Sequence, residues 1–63
     1  MSLKYIRTYY KVPAKRGVRV RFHQQAGEGV ITGASGPHVM VRRDGLRHAL
    51  PYHPTDLIYL ETP

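Results

Sequence analysis

The stretch that decides the fold is Gly17-Val18-Arg19-Val20-Arg21-Phe22, in which apolar and basic residues alternate. Successive side chains of a β-strand point to opposite faces, so this period of two predicts a strand with one buried face. The two valines and the phenylalanine are expected to point into the core. Arg19 and Arg21 are then expected on the outer face, where their guanidinium groups meet solvent or a ligand.

Four further short strands are predicted after this one, separated by turn-forming residues. They are expected over 29–33, 38–43, 46–50 and 57–60. Asp44-Gly45 predicts a type I′ hairpin turn, which requires a positive φ at both residues. Pro51 is expected to end the fourth strand, because proline cannot donate a hydrogen bond to a ladder. A turn or 3₁₀ turn is expected over 53–56.

The residues before Gly17 form an N-terminal arm, 1–16, and its first half has two interpretations. Apolar residues recur there at spacings of three and four, which favours a short helix over 3–10 with Ser2 as its N-cap. A strand is the alternative, because tyrosine, isoleucine and threonine all favour extended structure. Pro13 is expected to end either element.

The sequence therefore predicts an all-β fold, a small five-stranded antiparallel barrel over 17–61, preceded by a short helix or an extended arm. The strand order, with a turn before a short last strand, resembles the SH3-like barrels, including the KOW and Tudor-type modules. The resemblance covers about 17–60 and rests on residues 17–22, 29–31 and 53–57. Val-Pro-Ala-Lys-Arg-Gly at 12–17 is similar to a segment that precedes such a barrel in short proteins of phages and prophages.

Net charge is the strongest signal in the composition. The 63 residues include ten Lys and Arg against four Asp and Glu, which gives a net charge of +6 with neutral histidines. Such a field attracts a polyanion such as nucleic acid, or an anionic membrane surface. The chain has no cysteine, which excludes disulfides and thiolate metal sites. It shows neither a membrane-spanning run nor a signal peptide, so we expect a cytoplasmic protein. Membrane-surface binding ranks third among the partner hypotheses, and no membrane partner is expected, because the sequence contains no amphipathic basic helix of useful length.

No catalytic residue, cofactor or metal site is expected. Asp44 and Asp56 are assigned to turns, where Asp56 is expected to cap the turn before the last strand, so no carboxylate pair is left for acid–base chemistry. The histidines follow no zinc-binding spacing and are expected on the surface, one of them hydrogen-bonded in the proline-flanked turn. These histidines are His23, His38, His48 and His53.

A remote enzymatic alternative comes from a second resemblance. In length and strand order the chain is similar to the type II dihydrofolate reductases, SH3-like barrels that form a shared pore as tetramers. The family's pore is lined by Val-Gln-Ile-Tyr, whereas the corresponding segment here is His48-Ala49-Leu50-Pro51-Tyr52. The amide that contacts the ligand is absent, and only Tyr52 aligns, so this activity is not expected.

The basic residues are the candidate binding site. Arginine can bind phosphate through two hydrogen bonds, and rows of basic residues can follow a nucleic-acid backbone. The candidate phosphate-binding residues are Lys15, Arg16, Arg19, Arg21, Arg42, Arg43 and Arg47. Tyr5, Tyr9 and Tyr10 lie among basic residues and are candidates for base stacking. The alternative role of these tyrosines is to cover the open end of the barrel.

The leading hypothesis is a small, non-enzymatic module that binds nucleic acid electrostatically, without strong sequence preference. The alternative is a protein-interaction or assembly module of phage or prophage origin. A homo-oligomer is a further option, because Ile58 and Leu60 on a terminal edge strand could pair with a second copy.

Overall fold

The structure is a computed structural model, and it describes residues 2–60. One helix precedes five strands, with a 3₁₀ turn before the last of them. In chain order the elements are α1 Leu3–Tyr10, β1 Arg19–Phe22, β2 Glu28–Ser35, β3 His38–Arg43, β4 Ala49–Tyr52, the 3₁₀ turn Pro54–Asp56 and β5 Leu57–Leu60. The first residue of the predicted arm, residue 1, and the predicted end of the barrel, residue 61, lie outside the described residues.

The helical interpretation of the N-terminal arm is confirmed. The Ser2 hydroxyl accepts a hydrogen bond from the Tyr5 backbone N–H at 3.2 Å, which satisfies one of the free donors of the first turn. The helix ends at Lys11, whose φ of 55° is left-handed. Ile6 is fully buried and fixes the helix on the core. Within residues 2–60 no helix is long and apolar enough to cross a membrane.

The strands form one antiparallel sheet in the order β4-β3-β2-β1-β5. This confirms five antiparallel strands preceded by a short helix. The strands β4 and β5 are the two edges, and among the described residues no pairing between them closes the sheet. The small core lies on one face of the sheet, against α1 and the segment that follows it. Its buried residues are Ile6, Ala14, Val20, Phe22, Ile31, Val39, Val41 and Leu57.

The predicted orientation of β1 is confirmed. Val20 and Phe22 are buried, whereas Arg21 is exposed and Arg19 is half-buried. The third strand alternates in the same way, because Val39 and Val41 are buried on the core face. The sheet therefore has an inner face that builds the core and an outer face that carries most of its charged residues.

The second strand is longer than predicted. It extends to Ser35, so the turn to β3 is reduced to Gly36-Pro37. The register between β2 and β3 shifts between Ile31 and Gly33, which marks a β-bulge at Thr32. The extra residue reverses the alternation after the bulge, so the simple period of two could not predict the full strand.

The connection from β3 to β4 also differs from the prediction. The prediction of a type I′ turn at Asp44-Gly45 is wrong, because Asp44 does not have a positive φ. Instead, the Leu46 backbone N–H donates to the Arg43 carbonyl at 3.0 Å, with Gly45 at a φ of 87° in the third position. That sign pattern is typical of a type II turn. The fourth strand then begins at residue 49 and includes Pro51, which an edge strand tolerates.

Candidate nucleic-acid interface

The outer face of the sheet carries three of the predicted phosphate-binding arginines. Arg19 and Arg21 lie there on β1, and Arg42 lies there on β3. In the strand register Arg19 is opposite Val30, which is in turn opposite Arg42. Because neighbouring strands lie about 4.8 Å apart, the backbones at Arg19 and Arg42 are about 10 Å apart.

A fourth arginine reaches the same face from the arm. Gly33 pairs with Met40, which alternates with the buried valines of β3, so Gly33 belongs to the outer face. A Cβ atom placed on Gly33 would lie 4.0 Å from Nη2 of Arg16. Arg16 therefore extends over β2 on the outer face. Lys15 is exposed in the same turn, where its carbonyl accepts from the Val18 backbone N–H at 3.1 Å.

Arg19 already has two carboxylate partners. Its Nη2 lies 2.6 Å from Oδ2 of Asp44 and 3.2 Å from Oε1 of Glu28, and its Nη1 lies 3.1 Å from the other Asp44 oxygen. The hydrogen bonds from Arg19, with a smaller contribution from the charge of Arg42, lower the pKa of Asp44 below its ordinary value of 3.8. The same contacts raise the pKa of Arg19. Sequence reasoning assigned Asp44 to the turn alone and missed this pairing.

This cluster changes the charge balance of the outer face. Glu28 and Asp44 are the acidic residues at this end of the sheet, and both bind Arg19. Among residues 2–60 every ion pair involves Arg19. Arg16, Arg21 and Arg42 therefore have no ion-pair partner in the described chain, and their charges are available to a ligand.

Arg43 lies apart from this group. It is opposite Gly29 in the register, on the face that also carries Val20, so it points away from its neighbour Arg42. Its guanidinium carbon lies 5.2 Å from the centre of the Phe22 ring, and its Nη2 donates to the Ala26 carbonyl at 3.1 Å. These contacts give Arg43 a structural role.

Arg47 is exposed in the connection between β3 and β4. A shallow cleft of about 370 Å³ lies beside this connection, at the end of the sheet that carries Arg19 and Arg43. Its lining residues are Arg19, Gly27, Glu28, Arg43 and Asp44. Both of its arginines already contact protein groups, and it contains two carboxylates. The cleft is therefore a poor anion site in comparison with the open outer face.

The three predicted stacking tyrosines form one row of rings. Tyr5 and Tyr9 stack with their centroids 5.6 Å apart and an angle of 11° between the rings. Tyr10 meets Tyr9 edge to face at 4.9 Å and meets His53 in the same way at 5.3 Å. Tyr10 is half-buried and packs against the core. Tyr5 and Tyr9 are exposed.

His53 is the histidine that the proline-flanked turn holds. Its Nδ1 accepts from the Thr55 backbone N–H at 3.2 Å and lies 2.7 Å from the Thr55 hydroxyl. His53 is thus the N-cap of the 3₁₀ turn, and the capping role predicted for Asp56 is wrong. Within the described part of the chain, no group of three or more histidine or acidic side chains could hold a metal ion.

Arg7 makes a structural contact that sequence reasoning did not single out. Its Nη1 donates to the Ala14 carbonyl at 2.9 Å, which connects α1 to the segment leading into β1. This contact positions the helix and its tyrosines relative to the sheet. The only sequence signal was an arginine close to the apolar side of the helix.

Comparisons with protein-family models, curated proteins and solved structures find no match to this chain. The resemblance to SH3-like barrels and to short phage proteins therefore stays a prediction from the sequence.

Proposed function

We propose that this protein is a small SH3-like barrel that binds nucleic acid electrostatically, and that it is not an enzyme. The sheet order β4-β3-β2-β1-β5 and the 3₁₀ turn directly before β5 support the fold assignment. Glu28 and Asp44 are held by Arg19, which argues against their use as a catalytic acid–base pair.

The observation that carries this proposal is the separation of charge on the outer face. Arg19 is paired with the carboxylates of Glu28 and Asp44, which leaves this cluster with one net negative charge, while Arg21 and Arg42 remain exposed without an ion-pair partner in the described chain. An exposed arginine without an ion-pair partner can exchange its counterions for phosphate groups at little cost. In a chain of net charge +6, the long-range field adds to this local attraction.

The test is binding to labelled single-stranded DNA, duplex DNA and RNA, measured by fluorescence anisotropy over about 50 to 300 mM salt. We expect affinity to fall steeply with salt. The double variant Arg21→Gln with Arg42→Gln should bind more weakly and lower the salt slope by about 0.7 to 1 for each arginine. The single variants Arg21→Gln and Arg42→Gln are each compared with Arg47→Gln, which removes one positive charge from the connection between β3 and β4, outside the strands. Equal losses in the three single variants would argue against the outer face as the site.

A second candidate function, protein assembly, is favoured by the free edge of β5. Within residues 2–60 this strand pairs only with β1, so its other edge has no backbone partner. The strand Leu57-Ile58-Tyr59-Leu60 contains neither charge nor proline, the features that protect natural edge strands. The opposite edge, β4, contains Pro51.

We propose a second copy of this chain as the partner of that edge. An antiparallel two-fold pairing centred on Tyr59 would place Ile58 of one copy opposite Leu60 of the other. Both residues lie on the outer face, where Ile58 is opposite Arg21 and Leu60 is opposite Arg19. Such a dimer would place two outer faces side by side, with the apolar side chains of Ile58 and Leu60 between their arginines.

A further inference from the structure

The most exposed aromatic rings of the described chain lie on helix α1. Tyr9 is 65% exposed and Tyr5 is 45% exposed. They are four residues apart, so they lie on the same side of the helix, and their rings are nearly parallel. The two rings stack on each other, and the parts of the pair that face solvent form an apolar surface that the core does not use.

Contacts with Tyr10 hold the Tyr9 end of this apolar surface in place. Tyr9 contacts Tyr10 edge to face, and Tyr10 packs both against the core and against His53. His53 is fixed in turn by its two contacts with Thr55. The exposed rings therefore extend from an anchored row, which lowers the entropy that a ligand must remove when it stacks on them.

The helix supplies positive charge beside these rings. Lys4 and Lys11 are exposed at its two ends, and the segment from residue 3 to 11 contains no acidic residue. Aromatic rings combined with cations are typical of surfaces that bind unpaired bases, because every base has a flat face that can stack. In a duplex those faces already stack on neighbouring bases.

We propose that Tyr5 and Tyr9 form a stacking platform for unpaired bases, so that the preferred ligand is single-stranded nucleic acid. This inference rests on the proposed function and specifies its ligand. Lys4 and Lys11 supply positive charge beside the rings, whereas the tyrosines distinguish a strand with free bases from other polyanions. Surface contact with a partner protein is the competing role for the same rings.

The experiment uses the full chain and three probes: a single-stranded oligothymidine, a duplex of the same length and inorganic polyphosphate, which has no bases. The chain contains no tryptophan, so its intrinsic fluorescence comes from its five tyrosines, which include Tyr5 and Tyr9. We expect oligothymidine to quench this fluorescence and polyphosphate to leave it unchanged. Tyr9→Leu should weaken binding of oligothymidine roughly 5- to 150-fold, as expected for the loss of one stacked base, and should not change binding of polyphosphate.

Tyr9→Phe keeps the ring and is the matched control, so it should retain the affinity for oligothymidine. Because Tyr9 is exposed, both variants should fold, which circular dichroism checks. The stacking platform is overturned if Tyr9→Leu binds oligothymidine as the unmodified chain does, or if the duplex binds more tightly. Failure of all three probes to bind would instead overturn the proposed function, and the platform with it.

Discussion

Arg19 and Asp44 are 25 positions apart in sequence, yet Nη2 of Arg19 lies 2.6 Å from Oδ2 of Asp44. The arginine starts on β1, crosses over β2 and reaches the residue that follows β3. It contacts Glu28 at the start of β2 on the way. One side chain thus joins three strands at the end of the sheet where the β1–β2 and β3–β4 connections lie.

The contact between Arg19 and Asp44 predicts that the folded protein loses stability at acid pH. Since the pKa of Asp44 is lowered in the folded protein, the unfolded chain takes up the proton first as pH falls. The stabilising contribution is therefore complete above the ordinary pKa of 3.8 and is lost as pH falls through the folded-state value. Asp44→Asn should remove this part of the acid dependence, measured as urea midpoints at several pH values.

Arg19→Gln provides the control, because it removes the partner and keeps the carboxyl group. It should remove the same acid dependence, and combining it with Asp44→Asn should add nothing further. High salt should reduce the effect, since both side chains are exposed to solvent. Identical acid profiles for Asp44→Asn and the unmodified chain would show that the contact does not contribute to stability.

The half-buried phenol of Tyr59 predicts that the folded protein also loses stability at alkaline pH. Burial raises the pKa of its phenol to about 12, and its hydroxyl donates to the Pro54 carbonyl at 2.8 Å. Between the ordinary value of 10 and this value, the unfolded chain loses the proton and the folded chain keeps it, so stability falls as pH rises. Tyr59→Phe should be less sensitive over this interval.

Ultraviolet absorbance of tyrosinate gives an independent measurement. The chain has five tyrosines, and in the folded protein the one at position 59 should ionise late, near pH 12. In Tyr59→Phe this late step should be absent. If all tyrosines of the unmodified chain ionise together while it is still folded, the predicted burial effect is wrong.

The parts of the fold that the sequence predicted are those set by local pattern. The alternation around Val20 places the inner and outer faces of β1, and Ser2 caps the helix as expected. The bulge at Thr32 and the position of β4 depend on pairing between strands, which no local pattern encodes. The same limit applies to the candidate site: Arg19 was correctly placed on the outer face, but its partner Asp44 is determined by the sheet register.

Gly29 lies at a point in the sheet where neighbouring atoms leave no room for a side chain. A Cβ atom there would lie 2.7 Å from Cγ1 of Val41 and 2.8 Å from the carbonyl oxygen of Arg42, and the carbonyl cannot move without disturbing β3. Gly29→Ala should therefore destabilise the protein by about 1 to 3 kcal/mol, as overpacking does in other cores. Gly33→Ala on the same strand is the control, because its nearest neighbour is 4.0 Å away. Equal urea midpoints for the two variants would contradict the close approach.

The free edge of β5 predicts weak self-association. A four-residue strand pair alone buries less than the roughly 1,200 Å² of a stable interface, and two chains of charge +6 repel, so dimers should form only at high protein concentration and high salt. Sedimentation velocity over a concentration series measures this self-association.

Ile58→Lys should give a monomer throughout, because it places a charge opposite the partner's apolar residue. Leu50→Lys on β4 is the matched control, since Leu50 is 44% exposed and Ile58 is 40% exposed. Loss of association in both variants, or in neither, would assign the dimer to another surface.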